Sequence, residues 1–245
     1  MKVTNELKND GFGSQYQNII WSIIYSELKG YDFYYSPLVF VEHNYDHDPF
    51  FIDKLENLMN IKNNFKNMNN NDIITLDSNE VYNYIQSHFD KVEKSNILKI
   101  IKNNFLKNKK KIFTNSCLNI AVHVRRPNHN DNRIEGTQTS DEYYLNIMNN
   151  IRKTYQNIDL CFHIYSQGKL DSFEKYKNND VVLHINECGM KTFQSLVEAD
   201  MLVSSASSFS YIASMLSNGT IYHHKFWHPP FSFWLQLLDP NILLI

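Results

Sequence analysis

The densest run of residues able to do chemistry is Ile120-Ala-Val-His-Val-Arg-Arg-Pro-Asn-His-Asn-Asp131, where apolar positions lead straight into two guanidinium groups. Val122 and Val124 suit a buried pleated strand, Pro127 stops its ladder, and the Asn and Asp residues behind it turn the chain. Such a strand delivers His123, Arg125 and Arg126 at its carboxyl end. A guanidinium is always charged and presents a planar fork of donors. In the crevice of an open α/β sheet it is placed to grip an anion such as a diphosphate. Two further stretches carry matching chemistry: Ser166 and Gln167 close the apolar run Leu160-Cys-Phe-His-Ile-Tyr165, and Ser204-Ser-Ala-Ser-Ser208 follows Met201-Leu-Val203 and opens a helical pattern. Small hydroxylic residues at a helix start let phosphate oxygens reach both hydroxyls and unpaired N–H groups. The plainer alternative is that Ser207 is only an N-cap and that Arg125 pairs with Asp131 or Glu135.

Near the N-terminus, Gly11-Phe-Gly-Ser-Gln15 precedes a stretch from Asn18 to Lys29 whose residues Ile19, Ile20, Ile23, Ile24 and Leu28 recur at helical spacing until Gly30. Gly11 and Gly13 would let a backbone come close to a ligand, and the helix start offers N–H groups to an anion. No GK[ST] follows, which excludes a P-loop, and the third glycine of a dinucleotide fingerprint is missing. A tight turn before a buried helix accounts for the same letters. His43, Asp46, His47 and Asp48 form a polar loop with no partner cluster at ligand spacing, and His223, His224 and His228 lack acidic or cysteine companions, so no metal is expected.

The elements that must hold these groups follow from pattern. From 118 to 222, strands at Leu160–Tyr165, Val181–Ile185, Met201–Ser204 and Thr220–Tyr222 alternate with helices: one capped by Ser140 with Asp141 and Glu142 in its first turn, then Ser172–Lys177, Lys191–Glu198 and Ser207–Leu216. That alternation means βαβ units and a parallel sheet, a Rossmann-like domain whose ligand lies beyond the strand carboxyl ends. The first half reads as strands at Tyr31–Pro37 and Leu38–Val41, a helix Phe50–Met59, a polar linker Lys62–Asp72 and a strand Ile73–Leu76. Helices Glu80–Phe89, capped by Ser78 or Asn79, and Lys94–Lys107 follow.

With 42% hydrophobic and 14% aromatic residues in 245, the composition is globular despite its Asn-rich tracts. A net charge of −2 argues against a nucleic-acid footprint, and the run Lys107, Lys109, Lys110 and Lys111 is read as a solvated helix end. Cys117, Cys161 and Cys188 are far apart and odd in number, as unpaired thiols of a reducing compartment are. The first residues are too charged for a secretory segment and no apolar run is long enough to span a membrane. A cytoplasmic protein is therefore expected.

Taken in order, Gly11-Phe-Gly-Ser-Gln15, His123-Val-Arg-Arg126 and the block from Phe193 to Tyr211 resemble the GDP-fucose-dependent fucosyltransferases of the α-1,2, α-1,6 and protein O-fucosyl groups. These share a GxGxQ loop, an HxRR-type motif and a late Ala-Asp-x-Leu-Val-x-small-x-Ser-Ser segment. Residues 40–115 contribute little to the likeness. The resemblance implies a GT-B-like α/β protein of two Rossmann-like lobes with parallel sheets: residues 1–115 on the acceptor side and 116–245 binding the nucleotide sugar. The aromatic tail Phe226–Trp234 would cross back toward the first lobe; core packing of a final helix is the alternative. It also implies an inverting, metal-independent transfer of fucose from GDP-fucose to a glycan hydroxyl, with no cofactor beyond the donor substrate.

By position, Arg125 matches the arginine on the donor β-phosphate, His123 its neighbour, and Ser207 and Ser208 the serines that meet the diphosphate. Thr192 falls at a guanine contact. Ser166 and Gln167 flank the nucleotide, and Arg126, Gly11, Gly13 and Gln15 complete the donor-binding set. The chain departs from the pattern at Pro127-Asn128, where Gly-Asp or Thr-Asp is usual, and at Thr192, where some relatives have an acid. For the base that an inverting transfer needs, the loop after the arginines offers Glu135, then Asp131, with His129 as an alternative. Transfer from another GDP- or UDP-sugar, and a catalytically silent nucleotide- or glycan-binding module, are the competing readings.

Overall fold

The computed structural model describes every residue except 45, 46, 63, 68–71, 127–138 and 237–245. Two compact units divide the chain, Met1–Lys109 and Lys110–Ile245.

In the first unit, β1 (Lys2–Thr4), α1 (Phe12–Lys29), β2 (Asp32–Tyr35), α2 (Phe51–Met59), β3 (Lys66–Asn67) and β4 (Ile74–Thr75) are followed by α3 (Ser78–Ser87), α4 (Phe89–Glu93) and α5 (Asn96–Leu106). The strands, all parallel, stand in the order β3-β2-β1-β4. Their shortness explains why β1 escapes the sequence pattern and why β3 lies inside the expected polar linker: two or three residues give no period to read. Helix α1 is buried on almost every face, Tyr16, Ile19, Ile20, Ile23 and Ile24 together with polar Gln15, Gln17, Asn18 and Ser22, and it packs against β2, α3 and α5. It ends at Gly30, whose φ of 67° is left-handed and whose N–H bonds back to Glu27 O. Asp77, rather than Ser78 or Asn79, caps α3, accepting from the N–H groups of Asn79 and Glu80. The expected single helix Lys94–Lys107 begins at Ser95, whose Oγ accepts from Leu98 N.

The second unit carries β5 (Leu118–His123), α6 (Asp141–Thr154), β6 (Leu160–Ser166), a 3₁₀ helix (Leu170–Tyr176), β7 (Val181–Ile185), α7 (Gly189–Glu198), β8 (Met201–Val203), α8 (Ser208–Leu216), β9 (Thr220–His223) and β10 (Leu235–Gln236). All six strands are parallel, in the order β7-β6-β5-β8-β9-β10. Counted along the chain this is 3-2-1-4-5-6, the doubly wound order whose direction reverses between the first and fourth strands, here β5 and β8. Beyond the aromatic segment that ends at Trp234, Leu235–Gln236 form the edge strand β10.

Strand period two divides the side chains between the sheet faces. Ile120 and Val122 of β5, Phe162 and Ile164 of β6, and Met201 and Val203 of β8 join Tyr144, Ile147, Met148 and Ile151 of α6 in one buried cluster. Asn119, Ala121 and His123, with His163, Tyr165 and His184 on the neighbouring strands, therefore take the opposite face. Both units are thus Rossmann-like α/β structures with parallel sheets, the composition of a GT-B-like fold. Among the described residues no helix is long and apolar enough to cross a membrane.

Candidate functional site

The crevice expected from the strand order lies at the carboxyl ends of β5 and β8, and side chains from both strands meet there. His123 is the last residue of β5, and its Nδ1 lies 2.8 Å from Ser205 Oγ, two residues past β8. Ser205 is fully buried and held in turn by α8, through Ser205 N to Ser210 Oγ at 3.1 Å and Ser205 Oγ to Ser210 Oγ at 3.2 Å. The His123 ring rests on Phe209, centroid to centroid 5.5 Å. Burial, with the neighbouring Arg125 guanidinium, pushes the imidazole down to about 3, so His123 is neutral at physiological pH.

Helix α8 opens beside this pair. Ser207 caps it, its Oγ accepting from Phe209 N at 3.2 Å, and no acidic residue stands in the first turn. Ser208, half-buried, is its first residue. The helix start thus faces the carboxyl end of the sheet with a neutral cap, and the positive end of its dipole is not answered by a carboxylate of its own first turn.

The two arginines separate in role. Arg126 is tied to the start of α6: its Nη2 pairs with Asp141 Oδ1 and its Nη1 donates to Thr139 O at 3.2 Å. Asp141 also accepts from the Tyr176 hydroxyl at 2.6 Å and pairs with Lys175 at 2.5 Å. Burial alone would raise the Asp141 carboxyl, but Lys175, Tyr176 and Arg126 together hold it below the usual range. Arg125 lies two residues past the end of β5, half-buried, with its positive charge felt at His123. Asp141 was expected only as a first-turn acid. Its spacing of fifteen residues from Arg126 spans a loop, so no local rule could have paired them.

On the other side of β5, Ser166 Oγ donates to Val124 O at 2.5 Å, closing β6 onto the segment that carries the arginines. Gln167 follows as an exposed residue. Thr192 is half-buried in the second turn of α7, with its N–H bonded to Cys188 O, and α7 meets α8 through the Phe193–Phe209 ring pair. Asp131, Glu135 and His129 lie outside the described residues. His224, just past β9, is held at the same end of the sheet: its N–H donates to Ser204 Oγ, its Nδ1 lies 2.8 Å from Lys225 O, and its Nε2 lies 3.1 Å from Thr139 Oγ1.

The glycine segment of the first unit takes a different form from the loop expected. Helix α1 begins at Phe12, so Gly13 and Gln15 are helical and buried. Gln15 Nε2 donates to Asp10 O and to Phe40 O, each at 2.7 Å, which uses both amide hydrogens within the protein. Gly11 is the N-cap; a Cβ there would stand 3.1 Å from the His43 ring, so close packing explains the glycine.

No protein-family model and no curated protein matches the chain. Solved structures similar to it include NodZ α-1,6-fucosyltransferase co-crystallised with GDP, at 11% identity over 88% of this chain and 92% of that one, TM-score 0.39. The fucosyltransferase NodZ from Bradyrhizobium matches at 10% identity over 88% and 93%, TM-score 0.39. A mutant of Arabidopsis thaliana FUT1 in complex with GDP matches at 10% identity over 96% of this chain and 72% of that one, TM-score 0.42.

Proposed function

We propose that this protein is a glycosyltransferase that moves a sugar from a nucleoside diphosphate donor, GDP-fucose first among them, to a glycan hydroxyl with inversion and without a metal. The observation that carries the reading is the meeting of His123, Arg125, Ser205 and the α8 start at the switch point of the second unit's sheet. In this reading the second unit takes the nucleotide sugar and the first unit serves the acceptor. Departure of the diphosphate builds charge on its oxygens, and fixed donors aimed at that charge lower the barrier. Arg125 supplies a permanent bidentate cation, and Ser207, Ser208 and the first-turn N–H groups of α8 supply neutral donors and a dipole. With Ser205 donating to its Nδ1, a neutral His123 presents Nε2–H as one more donor. Arg126, anchored by Asp141, fixes the backbone from which Arg125 extends. Ser166, Gln167 and Thr192 border the nucleoside, and Glu135 is the preferred base with Asp131 second. Gly11, Gly13 and Gln15 complete the donor-binding set in this reading; both Gln15 amide hydrogens are engaged within the first unit, so backbone N–H groups would be the donors there.

Isothermal titration with GDP, UDP and their sugar conjugates, followed by assay for donor hydrolysis and transfer, tests the proposal. GDP and GDP-fucose are expected to bind and the donor to be turned over. Absence of any nucleotide binding would overturn the enzyme reading, and binding with neither hydrolysis nor transfer would leave a binding module. Glu135→Gln and Asp131→Asn variants with undiminished turnover would remove the assigned bases.

A further inference from the structure

On the sheet face opposite the α6 core, a line of hydrogen bonds crosses three strands of the second unit. Asn119 Oδ1 of β5 lies 3.1 Å from His163 Nε2 of β6. His163 Nδ1 lies 3.0 Å from His184 Nε2 of β7, and His184 Nδ1 lies 2.7 Å from Glu187 Oε1, just past β7. Counting hydrogens along this line decides its charge. The Asn119 amide cannot be turned over, because its Nδ2 donates to the backbone carbonyl of Cys117 at 2.9 Å. Its Oδ1 is therefore an acceptor, and His163 Nε2 must carry a hydrogen. The contact between the rings needs one hydrogen, and the contact with the Glu187 carboxylate needs another. Three hydrogens on two imidazoles make one neutral ring and one imidazolium.

We propose that His163 and His184 share a single extra proton, held chiefly on His184 and matched by Glu187, so that an imidazolium–carboxylate pair clasps the junction between β7 and α7. The placement follows from the surroundings. His163 is 7% exposed, lies against the Phe113 ring at 4.7 Å, and among the described residues has no carboxylate paired with it. His184 stacks on Tyr165 at 4.5 Å and touches Glu187 directly. Burial and the neighbouring His184 push His163 down to about 4, in keeping with its being the neutral member. Hydrogen bonds from His184 and Lys191 outweigh burial and hold the Glu187 carboxyl below its ordinary value, so it is ionised. The other titratable or charged groups around the pair are Lys191 of α7, 3.0 Å from Glu187 Oε2, Tyr165 and Cys161 of β6, and Asp200, which accepts from Asn119 N. Removing the proton would set two acceptors face to face at 3.0 or 2.7 Å and release Glu187, and with it the start of α7. The inference does not depend on which ligand the switch point binds.

Nitrogen-15 NMR of the histidine rings in the whole protein reads this directly. An ordinary histidine is mostly neutral at about pH 7.5; at that pH one of these two rings should show both nitrogens protonated and the other only Nε2. Two neutral rings would overturn the proposal. Glu187→Gln gives a second readout, since a carboxamide can turn its NH₂ group toward His184 Nδ1 and remove the need for the third hydrogen. The doubly protonated signature should then vanish at the same pH, with the fold checked by circular dichroism. Its persistence would show that Glu187 does not hold the proton. Should the variant fail to fold, the wild-type spectrum decides alone.

Discussion

In the first unit the fourth strand in chain order, β4, leads into α3, and the start of that helix is filled by the protein's own anions. Asp77 Oδ1 accepts from Asn79 N at 2.9 Å and Glu80 N at 2.8 Å, and Glu6 Oε2, arriving from beyond β1, accepts from Ser78 N at 3.1 Å. In the second unit the fourth strand, β8, leads into α8 at the same place in the same 3-2-1-4 order. There the cap is a serine hydroxyl, and the residues at and just past the end of β5 are a neutral histidine and an arginine. The strand ends differ likewise. Thr4, Asn5 and Ser36 of the first unit are buried and bonded to one another, Thr4 Oγ1 to Ser36 Oγ at 2.7 Å and Asn5 to the Ser36 backbone in both directions at 3.0 Å. One topology thus makes two anion sites. One is satisfied from within and stabilises the fold; the other has a neutral cap and is the one proposed above to take its anion from a bound nucleotide.

That contrast can be broken most sharply at Arg125. Arg125→Ala should lower affinity for a nucleoside diphosphate about 10²–10³-fold; an unaltered titration isotherm would remove the second unit's claim to an external anion. Acid should act next most strongly. His163, His223 and His228 are each held at about 4, and the ordinary value is about 6.5, so below that pH the unfolded chain binds more protons than the folded one. Their contribution is complete above about pH 6.5 and is lost progressively toward pH 4, on the order of 3 kcal/mol for a single ring. Denaturant unfolding followed at a series of pH values measures the slope, and a flat profile across that window would contradict it. In the first unit, Gln15→Ala strands two carbonyl acceptors and should cost about 1–3 kcal/mol of stability without changing nucleotide affinity; paired melting and titration experiments separate the two effects.

Ser208→Asp would give α8 the kind of internal anion that α3 already has. Nucleotide affinity should fall roughly tenfold through repulsion, while the helix gains about 0.3–1 kcal/mol. Tighter nucleotide binding by this variant would reverse the assignment. The smallest effect is expected from Asp77→Ala, which removes a satisfied cap: about 1 kcal/mol in chemical denaturation and none in ligand binding.

Much of the second unit was readable from residue order. The apolar runs of β5, β6 and β7, separated by helical patterns, announce parallel strands, and period two groups Ile120 with Val122 and Phe162 with Ile164. Serines at Ser140 and Ser207 announce helix starts because their hydroxyls compete locally for N–H groups. The first unit was less readable. Its strands β1, β3 and β4 are two or three residues long, too short to show a period, and although the isoleucines of α1 keep helical spacing, the helix starts earlier, at Phe12. The glycine segment illustrates the limit. Gly11-Phe-Gly-Ser-Gln15 carries the letters of a ligand loop, yet α1 starts at Phe12 and Gln15 turns its amide to Asp10 and Phe40.

Local pattern was enough for the residue types at the switch point, because strand, turn and helix start are decided within a few positions of each other: a strand ending in His123, Arg125 and Arg126, and a helix opening in serines. Which of those residues meet was settled only by the fold. Ser205 reaches His123 across 82 positions, Asp141 takes Arg126 rather than Arg125, and Asn119, His163, His184 and Glu187 line up because β5, β6 and β7 are neighbours in register. Such contacts depend on strand order and loop closure over long separations, and local composition carries no record of either.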